Sequence, residues 1–126
     1  MRMNRWILTV WALVLALTGI VLIFIPDESM HALGIGGSDA LAFKLLGAAH
    51  FGFAMLNYMA RTAAIGGIYG RPISVANFAH FMIAAITLIK VSSDGEINVL
   101  RWFVTIVFSL LAVSAFYVMR SNPGKG

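Results

Sequence analysis

Four apolar windows, residues 6–25, 41–60, 73–91 and 102–119, follow one another along the chain with short polar stretches between them. Each holds about 18–20 residues, near the length at which a helix crosses the roughly 30 Å hydrocarbon core of a bilayer. The first and last contain no charged residue. The second carries Lys44 one turn from its start and the third Lys90 at its end, positions from which a long aliphatic stem carries the ammonium group back to the headgroups. Composition agrees: 60% of the 126 residues are hydrophobic and 11% charged, with a mean hydropathy of +0.90, too little charge for the surface of a soluble domain. The expected fold is all-α: an integral membrane four-helix transmembrane bundle, N-in/C-in, forming a single transmembrane domain over residues 1–126 with helices at about 6–25, 41–60, 73–91 and 102–119.

Arg2 and Arg5 precede the first window as they would a signal peptide, but its apolar core exceeds the usual 7–15 residues, and Ile23, Phe24, Ile25 and Pro26 offer no small-residue cleavage site. It is expected to be a retained helix. Arg2, Arg5, Arg61, Arg71, Arg120 and Lys125 then fall on one side of a four-span arrangement. Lys44, Lys90 and Arg101 fall on the other, with all five acids, Asp27, Glu28, Asp39, Asp94 and Glu96. The positive-inside rule places the first side, with both termini, in the cytoplasm. Trp6, Tyr58, Tyr69 and Tyr117 near the inner boundary and Trp102 near the outer one fit aromatic belts.

The net charge of +4 comes from basic residues scattered singly between apolar segments, which excludes a nucleic-acid surface and reads as topology. With no cysteine, thiol–disulfide chemistry and thiolate metal sites are excluded. In the first outer loop, 26–40, Pro26 ends the first helix, a short helical segment such as 27–33 follows, and Ser38 or Asp39 can cap the second span. The inner loop reads as a turn by Gly66, Gly67 and Gly70, with Pro72 at a helix start.

In lipid, helices associate through close packing and interhelical hydrogen bonds, so small and polar residues mark contact faces. The first span offers Thr9, Ala12, Ala16 and Gly19, the second Ala48 and Gly52, the fourth Thr105, Ser109 and Ala112. The middle spans carry more. At about 100° per residue, His50, Asn57 and Arg61 lie within roughly 20° of one direction, and Asn77, His80 and Thr87 share a face of the third span. His50 lies near mid-bilayer and His80 slightly nearer the cytoplasm. Helices joined by a short loop tend to pack side by side, so the two stripes are expected to meet in a polar seam or ligand pocket of His50, Asn57, Asn77, His80 and Thr87. The seam has three readings: hydrogen-bonded glue between helices, a b-type haem held by His50 and His80 as cofactor-binding residues, or a pocket for a lipid, quinone or other small molecule.

No Asp or Glu lies within a span, which removes the coupling residue of a carboxylate-driven antiporter, and no acid is placed to orient a histidine in a hydrolase triad. His31 beside Asp27 and Glu28 is read as a solvated loop rather than a metal site. The run from Pro26 through Leu33-Gly34 to Leu46-Gly47, Asn57-Tyr58-Met59-Ala60-Arg61 and Arg71-Pro72 resembles small four-span bacterial membrane proteins of unknown function. The resemblance implies a multi-pass protein of the bacterial inner membrane and carries no functional residue with it. With no convergent catalytic set, the expected function is non-enzymatic: a homo-oligomer, or an accessory subunit packed against another membrane protein in the lipid bilayer. The alternatives are a haem-binding electron carrier and a small oligomeric transporter or channel.

Overall fold

The computed structural model describes residues 2–35, 39–62 and 70–121, and among them five α-helices follow in order: α1 (Arg2–Phe24), α2 (Pro26–Ala32), α3 (Ala40–Ala60), α4 (Gly70–Asp94) and α5 (Val99–Ser121). The four long helices cover the four apolar windows, Ile25 at the end of the first excepted, and are each long and apolar enough to cross a membrane. The chain divides into two compact units, Arg2–Arg61 with α1, α2 and α3, and Thr62–Gly126 with α4 and α5. Inside them the long helices pair as α1 with α3 and α4 with α5.

In the first unit α1 stops where proline forbids its continuation. Pro26 has no N–H and crowds the residue before it out of helical geometry; Ile25 takes φ −132°, and Pro26 opens α2. This is the short outer-loop helix expected from the sequence, one residue earlier at each end. It finishes in a Schellman motif: Gly34 N–H donates to the His31 carbonyl (3.0 Å) and Ile35 N–H to the Met30 carbonyl (2.9 Å). Gly34 adopts the left-handed φ of 68° that this motif needs. Asp39 then caps α3, its Oδ1 accepting the Leu41 N–H at 2.9 Å. Ser38, the other candidate cap, and the glycines at 66 and 67 lie outside the described residues.

α1 and α3 meet through glycine. A Cβ built on Gly19 would lie 2.8 Å from the Gly47 carbonyl oxygen, and one on Gly47 would lie 2.8 Å from the Gly19 carbonyl oxygen. Such backbone contact admits no methyl group. The small-residue contact of the second span is therefore Gly47, where the sequence suggested Ala48 and Gly52. Ala48 and Gly52 are exposed, and nothing lies within 4 Å of a Cβ placed on Gly52. The reason is helical phase: Gly52 sits about 140° round the axis from Gly47.

In the second unit Phe81 stacks edge-on against Phe108, with ring centroids 6.3 Å apart, and Phe78 tilts against Phe116 at 5.7 Å. Near the turn, the Ser92 and Thr105 hydroxyls hydrogen-bond at 3.0 Å, and Thr105 also donates to the Arg101 carbonyl at 2.7 Å. Arg101, expected as a loop charge, is buried; its Nη2 donates to the Glu96 carbonyl (2.7 Å) and its backbone N–H to the Asn98 side chain (3.0 Å). It thereby ties the start of α5 to the turn after α4.

Candidate functional site

The two middle long helices bury small and polar residues and leave large apolar ones exposed. α3 buries Gly47, His50, Ala54, Asn57 and Ala60, whereas Leu45, Phe51, Met55 and Met59 on the same helix are exposed. α4 buries Ser74, Asn77, Phe81, Ala85 and Ser92 and exposes Ile83, Ile86 and Ile89. Asn57 and Asn77 have no exposed surface at all, and His50 retains 6%. Buried polar groups need hydrogen-bonding partners, so these stripes are where the chain can do more than pack.

His50 has the best-defined geometry. One turn beyond the glycine contact, its Nδ1 lies 3.0 Å from Thr18 Oγ1 on α1. Thr18 is part of its own helix's hydrogen bonding as well, with Oγ1 at 2.9 Å from the Val14 carbonyl and 3.2 Å from the Leu15 carbonyl. The Gly19–Gly47 approach lies one residue from Thr18 and three from His50 and brings these two side chains together. Thr18 is absent from the small and polar residues that the sequence singles out on the first span. The available signal was its place beside Gly19, but which α3 residue it meets depends on the helix crossing.

The other expected site residues are described each within its own unit. Asn77 donates from Nδ2 to the Ile73 carbonyl at 2.9 Å. His80 is half-buried beside the Phe81 ring, with centroids 5.7 Å apart. It lies roughly 110° round the helix from the centre of the buried stripe at about 100° per residue. Thr87 is exposed and sits roughly 130° from that centre. Arg61 does not extend along the His50–Asn57 line. It closes α3, its guanidinium lying over the Tyr58 ring at 3.6 Å from the centroid, with Nη1 donating to the Tyr58 carbonyl.

Among the described residues no group of three or more His, Asp or Glu side chains is arranged to hold a bare metal ion. A haem iron asks less of the protein, one imidazole nitrogen on each side with the porphyrin supplying the rest. Thr18 engages one ring nitrogen of His50 on α3 and thereby orients the ring. Compared with protein-family models, curated proteins and solved structures, the chain matches none, so its functional reading rests on its own residues.

Proposed function

We propose that this chain is a four-span protein of the bacterial inner membrane, with both termini in the cytoplasm, and that it acts without catalysis by associating with a second copy or a larger membrane protein. The spanning part of this reading is supported by the many large apolar side chains on the outside of the long helices: Leu17 (65% exposed) and Met59 (71%) are exposed while Asn57, Asn77 and His50 are buried. In water that arrangement exposes far more apolar surface than a monomer tolerates; in hydrocarbon it costs nothing. Orientation follows from the distribution of arginine and lysine between the loops.

The observation that carries association is a line on α3 made of Leu41, Leu45, Ala48, Gly52, Met55 and Met59, all exposed and spaced alternately by four and three residues, the repeat of a helix–helix seam. Ala48 and Gly52 at its centre would let another backbone approach closely. The test is Gly52→Leu, which fits within the α1–α3 unit because nothing lies within 4 Å of its Cβ position. The variant should fold normally yet lose self-association or partner co-purification in nanodiscs. An unchanged assembly state would remove this face from consideration.

A second reading, haem binding through His50 and His80, is favoured by the Thr18–His50 hydrogen bond. In it Thr18 and His50 would hold one side of the porphyrin iron, which would supply one-electron transfer when bound. Protein expressed with haem available should then show an intense absorption band near about 400–430 nm, as haem proteins do, that His50→Ala or His80→Ala weakens or abolishes. Colourless protein under those conditions excludes this reading and leaves the first untouched.

A further inference from the structure

We infer that Arg5 and Arg61 form a two-arginine site for the phosphate group of an anionic lipid, at the end of the α1–α3 pair away from α2. The glycine contact sets the register of the two helices. Gly19 meets Gly47 and Thr18 meets His50, so numbers fall along α1 as they rise along α3 and the helices run antiparallel. From 5 to 19 and from 47 to 61 are both 14 residues, and Arg61 still has the helical φ of −61° and ψ of −23°. At about 1.5 Å and 100° per residue, each arginine therefore sits roughly 21 Å along its helix from the contact and about 40° from the direction of its glycine. The two cations share one level of the pair, near the faces by which the helices meet.

That level is where a bilayer keeps its phosphates. Arg5 opens the apolar stretch Arg5–Phe24, and Arg61 follows directly on Ala40–Ala60. The acids of this unit, Asp27, Glu28 and Asp39, all belong to its other end, in α2 and at the cap of α3. Two like charges with no carboxylate beside them raise the local concentration of anions. Arg61 is also held in place: its guanidinium lies over the Tyr58 ring, 3.6 Å from the centroid, and Nη1 donates to the Tyr58 carbonyl. Stacking covers a face of the guanidinium and leaves its N–H edge, the part whose fork matches two phosphate oxygens. Arg5 is exposed and supplies the second charge. Tyr58 is thus a positioning residue for Arg61.

This inference rests on the membrane reading above, and its test keeps the two apart. Full-length protein is placed in nanodiscs of mixed phosphatidylcholine and phosphatidylglycerol, and the lipids it retains on release are counted by native mass spectrometry. Wild type should retain phosphatidylglycerol in preference. Arg5→Gln and Arg61→Gln should each lower that preference by about fivefold, the effect of one cation near an anionic surface. Tyr58→Leu should lower it too, whereas Tyr58→Phe keeps the ring and should not. Arg120→Gln removes a charge from the other unit and is the control. An equal loss there would reduce the effect to general charge attraction and overturn the site. So would a wild type without preference, a result that needs no variant to fold. Inorganic phosphate binding to protein in phosphatidylcholine alone, without any lipid preference, would likewise overturn the lipid assignment. Protein that does not enter nanodiscs at all refutes the membrane reading, while protein that enters and shows no preference refutes only the lipid site.

Discussion

A methyl group has nowhere to go at the contact between α1 and α3. Gly19→Ala or Gly47→Ala would push a Cβ to 2.8 Å from a backbone oxygen, and a carbonyl in a long helix cannot yield alone. Each substitution should lower stability by about 1–3 kcal/mol, the usual cost of overpacking a tight interface. Each should also weaken the Thr18–His50 hydrogen bond, whose length depends on the same approach. Gly52→Ala is the control: with open space at its Cβ, it should be neutral or stabilising by up to about 1 kcal/mol through helix propensity. Thermal unfolding of the three variants in one detergent checks the contrast, and equal losses at all three positions would refute the glycine contact. Gly19 is legible in the sequence as a contact residue. Gly47 and Thr18 are not, because several small or hydroxyl residues share each span and sequence spacing does not say which face meets a neighbour.

At the scale of elements, boundaries depend on local chemistry and the sequence shows them well. Pro26 ends α1, Gly34 supplies the positive φ that closes α2, and Asp39 opens α3. Asp39→Ala removes the acceptor for the Leu41 N–H and should cost about 1 kcal/mol, whereas Asp39→Asn should cost much less. Gly34→Ala forces a side chain into left-handed geometry and should cost about 1–2 kcal/mol. Denaturation of the purified protein measures both, and a harmless Gly34→Ala would mean that the α2 closure differs from the one described. The α4–α5 turn is less legible. Nothing in the spacing of Arg101 distinguishes a solvated loop arginine from one folded onto its own turn, and only its carbonyl partner at Glu96 reveals the difference.

For the whole molecule, the proposed four-span arrangement makes a prediction about sidedness that the cysteine-free sequence allows to be tested without background. Single cysteines at Glu28 and Ser93, both exposed, should react with a membrane-impermeant thiol reagent applied to intact cells. A cysteine at exposed Thr62 should react only after the membrane is opened. Labelling of Thr62→Cys from outside would reverse the orientation drawn from the loop arginines.

The sequence by itself determined that the chain is helical, where its long apolar helices run and how several of them are capped, because length, hydropathy and capping chemistry act within a few residues of one another. It also picked out His50, Asn57 and Asn77 as residues to watch, since polar groups in apolar helices are few, and all three are buried. Only the tertiary structure decided that Thr18 is the neighbour of His50, that Gly47 rather than Gly52 bears the contact, and that Thr87 is exposed. Those facts depend on which face of a helix turns inward and which helix it turns toward. A rotation of about 100° per residue makes several faces plausible from spacing alone, and the choice among them rests on contacts between residues far apart in the chain.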